Sequence, residues 1–155
     1  MNAMRAREPV AAATLRVLGA WLLVSVGLHL VWEIGHSPLY TLWNESEPAY
    51  IAWAVVHCTV GDGLIALGTY AVASAAAGTI AWPWRVPLRG LVVLWGGGLA
   101  WTAFSEWRHV QVLGSWTYTD AMPTLAGIGF APLAQWVVVP ALALWGLCKW
   151  NPARY

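Results

Sequence analysis

Charged residues are scarce in this sequence. Lysine, arginine, aspartate and glutamate make up 10% of the 155 residues, whereas apolar residues make up 59%. An ordinary soluble domain has roughly 25% charged residues, and a water-soluble globule this small could not hide so much apolar surface. We therefore expect lipid to be the solvent. The net charge of +1, without a cluster of basic residues, argues against nucleic acid as a partner.

Cysteine is nearly absent as well. The two cysteines, Cys58 and Cys148, fall in different apolar segments near opposite membrane faces. That separation exceeds the ~5–6 Å Cα spacing of a disulfide, so both are expected to be free thiols.

The first apolar run lacks the small-residue cleavage site of a signal peptide, and we interpret it as a retained helix.

Four apolar runs predict four membrane-spanning helices. They cover residues 14–35, 50–77, 86–107 and 123–148, and each is long enough for a hydrocarbon layer roughly 30 Å thick. The predicted fold is all-α: a single domain over residues 1–155 that forms an integral membrane antiparallel four-helix bundle. The 13 tryptophans fit this assignment because their rings favour the headgroup layer.

The basic residues predict the orientation of the bundle. Seven of the eight lie on one side of the predicted spans, and only Arg108 lies on the other. The seven are Arg5, Arg7, Arg16, Arg85, Arg89, Lys149 and Arg154. The positive-inside rule places both termini in the cytoplasm and the loops 37–49 and 108–122 outside. We expect a multi-pass protein of a bacterial cytoplasmic (inner) membrane.

Most ionisable side chains fall in the outward half of the predicted bundle. They are His29, Glu33, His36, Glu45, Glu47, His57, Asp62, Glu106, Arg108, His109 and Asp120. A titratable side chain within a membrane helix is costly, so it normally faces the bundle interior or a wet cavity. The pattern predicts an outward-facing polar pocket.

Helical spacing brings several of these side chains together. His29, Glu33 and His36 follow one another at i, i+4 and i+7, which puts them on one helix face. His57 should lie at the depth of His29, roughly 10 Å below the outer boundary, and Asp62 roughly 18 Å below it. Purely structural roles would explain the same residues. His36 and Glu33 could lie in the water of the headgroup layer, and Asp62 could pair with a Thr, Trp or His side chain across the bundle.

Imidazole and carboxylate groups without clustered thiolates suggest a transition metal such as Fe, Zn, Mn or Cu(II). The pairs Glu33/His36 and Glu106/His109 resemble half of the ligand set of ferritin-like di-iron bundles. The second helix departs from that pattern with Asp62, and the fourth offers only Gln135. The predicted metal ligands are His29, Glu33, His57 and Glu106, with His36, Asp62 and His109 as additional or supporting ligands.

Several functions are compatible with this pocket. A bound metal could serve redox or hydrolytic chemistry on a lipid-soluble substrate, or metal handling, so whether the protein is an enzyme stays open. Haem ligated by His29 and His57 is an alternative cofactor. A second function class is an accessory subunit of a larger respiratory or photosynthetic membrane complex, and a third is a proton-coupled transporter component that uses Asp62 and assembles as a homo-oligomer. The outer segment carrying Trp116, Tyr118 and Met122 is expected to cap the pocket.

Overall fold

A computed structural model describes residues 10–85 and 87–149 of the protein, with side chains from residue 14 onward. Arg5, Arg7 and Arg154, used above to predict orientation, lie outside the described residues, as does Val86 at the predicted start of the third span. The described part of the chain is helical apart from its connections and one short hairpin, so the expectation of an all-α fold is confirmed.

Five α-helices follow one another within the described residues. They are α1 (Val10–His36), the short α2 (Leu42–Glu45), α3 (Pro48–Ala77), α4 (Leu88–Glu106) and α5 (Phe130–Lys149). Short 3₁₀ turns lie at Ser37–Leu39 and Trp82–Trp84, and a π-helical segment, Trp107–Leu113, continues α4. The hairpin consists of β1 (Thr124–Leu125) and β2 (Ile128–Gly129).

Three segments of the described chain are long and apolar enough to cross a membrane: Thr14–Leu39, Pro48–Ala77 and Phe130–Lys149. This finding supports a membrane protein. The fourth long helix, α4, is not among them; its 19 residues include Arg89, Glu106 and a run of three glycines.

The last helix begins later than the sequence suggested. Residues 124–129 form the hairpin, and α5 starts at Phe130, seven residues after the start predicted at Pro123. Ala126 (φ 52°) and Gly127 (φ 78°) both adopt left-handed backbone conformations, which turn the chain back on itself. Proline does mark the start of α3, at Pro48, and precedes α4, at Pro87.

The four long helices pack side by side. Helix α3 contacts α1 and α4, and α5 also contacts α1 and α4. Each buries one stripe of residues spaced three or four apart, as on α4, where Leu94, Gly98, Thr102 and Glu106 are buried. At one end of the molecule the stripes form an apolar core, which includes Trp21, Tyr70, Trp82, Leu94 and Leu147.

The connections between α1 and α3 and between α4 and α5 meet at the other end, which we name the site end. The backbone N–H of Thr41 donates to the carbonyl of Thr117 at 3.0 Å, and that of Thr119 donates to Leu39 at 2.9 Å. Tyr40 and Tyr118 form an isolated β-bridge between these hydrogen bonds. The two connections therefore form one cap over the polar ends of the helices.

Candidate functional site

One face of α1 carries polar side chains towards the interior. Trp21, Ser25, His29, Glu33 and His36 are all buried at intervals of three or four residues. Trp21 belongs to the apolar core, and the ionisable members lie near the site end. His29, Glu33 and His36 thus share the buried face that their spacing predicts.

The amide of Gln135 on α5 joins two other helices. Its nitrogen lies 2.8 Å from Nδ1 of His29, 3.1 Å from Oε1 of Glu33 and 2.8 Å from Oδ2 of Asp62. Gln135 is 2% exposed and His29 is 1% exposed. We name these four residues the Gln135 cluster.

The Gln135 cluster needs more hydrogen-bonding protons than the amide can supply. An NH₂ group has two protons, but three acceptor atoms surround this one. Nδ1 of His29 also lies 3.4 Å from Oδ2 of Asp62, where it can donate if it carries a proton. At least one further proton, on an imidazole or a carboxyl group, satisfies the cluster completely.

Glu106, the last residue of α4, is held by two tyrosines. The hydroxyl of Tyr118 donates to Oε2 of Glu106 at 2.5 Å, and the hydroxyl of Tyr40 lies 3.4 Å from both carboxylate oxygens. The backbone N–H of Gly129 donates to the Tyr118 oxygen at 2.9 Å. Burial, followed by the neighbouring Glu106 carboxylate, raises the pKa of Tyr40, and burial together with the hydrogen bond to Glu106 raises that of Tyr118. Both hydroxyls therefore stay protonated and act as donors.

A cavity of about 400 Å³ lies among these groups at the site end. The carboxyl groups of Glu33, Asp62 and Glu106 line it, and no lysine or arginine of the described residues does. Aromatic rings make up much of the remaining wall: Tyr40, Tyr50, Trp53, Trp101, Trp116 and Trp136. Trp53 and Trp101 are 56% and 55% exposed, so the cavity reaches the molecular surface beside them.

A close approach of α5 to α4 closes the cavity below the Gln135 cluster. The buried ring of Trp136 lies against Gly98, so closely that a Cβ atom at Gly98 would overlap it. The same ring packs on the imidazole of His29, with centroids 5.1 Å apart. Gly98 thus makes room for the ring that shields His29 from the apolar core.

The remaining predicted ligands lie at the cavity wall. His57 is exposed and stacks on Trp53, with ring centroids 4.8 Å apart. His109, on the π-helical segment, stacks on Trp116 at 4.3 Å. Burial and the charge of Arg108 lower the pKa of His109, which keeps this ring neutral at neutral pH. His36 donates from Nδ1 to the carbonyl of Trp32 at 2.8 Å.

The predicted metal ligands are not assembled into one set. Within residues 10–85 and 87–149, no three His, Cys, Asp or Glu side chains are arranged to hold a metal ion. A donor group, the Gln135 amide, occupies the point where His29, Glu33 and Asp62 converge. His57, five residues before Asp62 on α3, lies about 140° around the helix from it. Its ring stacks on that of Trp53, and its pairing with His29 through a haem stays a prediction.

Three residues of the site were not among the predicted ligands. Gln135 was noted only as the polar residue that the fourth helix offers in place of a carboxylate, although it is the one glutamine within the four apolar runs and an intramembrane polar side chain commonly marks a site. Tyr118 lies in the segment that was expected to cap the pocket, but neither it nor Tyr40 has a sequence signal that predicts contact with Glu106. Their approach to Glu106 depends on the pairing of two connections that are far apart along the chain.

Comparisons with protein-family models, curated proteins and solved structures find no match to this chain.

Proposed function

We propose that the protein crosses the membrane four times and that its outward-facing cavity binds the polar part of a lipid-soluble substrate, with which the Gln135 cluster exchanges a proton. The observation that carries this proposal is the convergence of His29, Glu33 and Asp62 on one amide nitrogen beside the cavity. These groups can hold a proton between them, and they lie at or behind a wall that a bound molecule would contact.

Packing supports a fourth span. Helix α4 lies between α3 and α5, each long and apolar enough to cross the membrane. Its 19 residues give a length of about 28 Å, close to the thickness of the hydrocarbon layer. Val92, Trp101 and Phe104 are exposed along it, as lipid-facing residues would be. Arg85, Arg89 and Lys149 lie at the end opposite the cavity, which the positive-inside rule assigns to the cytoplasm.

The proposed chemistry is general acid–base catalysis. A carboxyl group of the cluster donates its proton to the bound substrate, and the resulting carboxylate accepts a proton from the substrate or from water in the cavity. His29 supports either state, because its Nδ1 can accept from Gln135 or donate to Asp62. The apolar surroundings strengthen these interactions relative to water.

The test is to identify the lipid-soluble molecules that purify with the protein. Mass spectrometry should find one amphiphile enriched over the surrounding membrane in wild type. The double variant Asp62→Asn, Glu106→Gln should lose this enrichment. Glu33→Gln keeps a polar side chain and leaves Asp62 and Glu106 in place, so it should still carry the amphiphile although it cannot transfer the proton.

Glu45→Gln is the matched control because Glu45 is exposed at the site end and does not line the cavity. It should carry the same molecules as wild type. Equal lipid content in wild type, the control and the double variant would contradict the proposal.

A metal site is the second candidate function. Nδ1 of His29, Oε1 of Glu33 and Oδ2 of Asp62 all lie within 3.1 Å of the Gln135 nitrogen. They are not arranged to hold a metal ion as they stand, so a metal would require the Gln135 amide to turn away and the three side chains to move closer together. Elemental analysis of the same preparations separates the two candidates. About one equivalent of Fe, Zn, Mn or Cu in wild type, lost in Asp62→Asn, would favour the metal. Metal-free protein that carries the amphiphile would favour acid–base chemistry.

A further inference from the structure

An apolar groove runs along the surface between α3 and α4. It has a volume of about 410 Å³, and its walls come from these two helices alone. They include Ile65, Gly68 and Val72 on α3 and Val93, Gly97 and Trp101 on α4. Ile65 and Trp101 also line the polar cavity, so the groove and the cavity adjoin.

Two glycines form the floor of the groove. A Cβ atom on Gly68 would meet no other atom within 4 Å, and a Cβ on Gly97 would lie 3.2 Å from Cγ2 of Thr69. The absence of side chains there leaves space between the flanking residues. From Trp101 to Val93 the groove follows eight residues of helix, a length of about 12 Å directed away from the site end. Its shape and chemistry suit one hydrocarbon chain.

The cavity next to the groove suits a cation. Three carboxyl groups line it without a neighbouring lysine or arginine among the described residues. Tryptophan and tyrosine faces surround these groups, and such faces attract ammonium ions through their π electrons. Carboxylates combined with aromatic rings would bind an ammonium group better than a phosphate or a sulfate, which the carboxylates would repel.

We propose that the substrate is a single-chain amphiphile with an ammonium head group. The head lies in the cavity among Glu33, Asp62 and Glu106, and the chain passes between Ile65 and Trp101 into the groove. This inference rests on the proposed function and adds the substrate class and the path of its chain. A primary ammonium group also carries a proton that the Gln135 cluster could exchange.

The test uses a long-chain primary alkylamine with a photoreactive diazirine in its chain. The protein is held in dodecyl maltoside micelles, whose head group is uncharged and cannot compete for a cation site. After illumination, mass spectrometry should locate the label on the groove residues of α3 and α4. The matched probe, with a sulfate in place of the amine, should label these residues at least about tenfold less, a difference of about 1.4 kcal/mol.

Two variants test the groove for the hydrocarbon chain and the cavity for the head group independently. Gly68→Leu adds a side chain at a groove position where a Cβ atom would meet no neighbour, and it should reduce labelling at the groove about tenfold. Gly96→Leu is the matched control, because Gly96 is also exposed and unobstructed but lines neither the groove nor the cavity. It should label as wild type does. Asp62→Asn with Glu106→Gln should abolish the preference for the amine, and melting temperatures should show that each variant is folded.

The outcomes distinguish this inference from the proposed function. If Gly68→Leu labels like wild type while the carboxyl variant loses labelling, the chain path is wrong and the cavity proposal stands. If the sulfate probe labels as well as the amine, the ammonium assignment is wrong. If no variant changes labelling by either probe, both proposals fail.

Discussion

Gln135 connects α5 to both other helices that contribute to its cluster. It is almost fully buried, and its amide nitrogen is the one donor shared by His29, Glu33 and Asp62. A buried acceptor that loses its partner costs about 1–3 kcal/mol. The stability of the site end should therefore depend on this side chain more than on any exposed polar residue.

Replacing Gln135 by alanine should destabilise the protein by about 1–3 kcal/mol, because it leaves buried acceptors unpaired and opens a cavity beside them. Gln111→Ala is the matched control. Gln111 is exposed and donates a single hydrogen bond, to the carbonyl of Gly127 at 3.3 Å, so its loss should cost less than about 0.5 kcal/mol. Thermal unfolding in detergent measures both. Equal losses of stability would show that the Gln135 cluster contributes little.

At the level of single residues, the sequence predicts which side chains share a buried face when they belong to one helix. The spacing of His29, Glu33 and His36 predicts one buried face, and all three are buried on α1. The sequence does not predict which faces of two different helices pack against each other. The exposure of His57 depends on which face of α3 packs against the other helices. Thr59 and Gly63 lie on the buried face of α3, and His57 is exposed.

At the scale of elements, the contact between α4 and α5 determines the shape of the site. Gly98 admits the ring of Trp136, which in turn covers His29. The neighbouring glycine, Gly96, is exposed and has open space around its Cα. The three consecutive glycines of α4 therefore have different roles, and only Gly98 is required for this close approach.

Gly98→Ala should destabilise the protein by about 1–3 kcal/mol, because the added methyl group overlaps the Trp136 ring and the helices must move apart. Gly96→Ala adds the same group in open space and should leave stability unchanged or slightly higher. Unfolding in detergent, followed by the fluorescence change of the buried tryptophans, measures the difference. Equal effects of the two substitutions would contradict the packing described here.

Helix positions could largely be predicted from the sequence, and the connections could not. Long apolar runs gave the approximate bounds of α1, α3 and α4 and the C-terminal end of α5, and Pro48 marks the start of α3. The hairpin before α5 was missed because residues 123–129 are apolar enough to continue a span. Its turn depends on the left-handed conformations of Ala126 and Gly127, and alanine gives no sequence signal for such a conformation.

At the scale of the whole molecule, polar and apolar groups are separated along the helix axes. The apolar core of Trp21, Tyr70 and Trp82 fills one end, and the carboxyl groups of the cavity lie at the other. The proposed orientation opens this cavity to the outside, where it could receive water and the head group of a membrane amphiphile. An accessory subunit would not require such a cavity to be accessible or selective for charge.

Cys58 provides a direct test because it lines the cavity and is a free thiol. In a Cys148→Ser background it is the only cysteine. The measurement is the rate at which two membrane-impermeant methanethiosulfonates, one carrying a trimethylammonium and the other a sulfonate, modify Cys58 in vesicles whose outer protein face is exposed. Each rate is divided by the rate of the same reagent with a small thiol in solution.

The cavity carboxyl groups should favour the ammonium reagent by about tenfold, since tenfold corresponds to about 1.4 kcal/mol and a single charge pair near a protein surface can supply that much. Asp62→Asn with Glu106→Gln should abolish this preference, and Glu45→Gln should preserve it. Equal or faster modification by the sulfonate reagent, or modification only from the cytoplasmic side, would contradict an outward-facing site for a cationic head group.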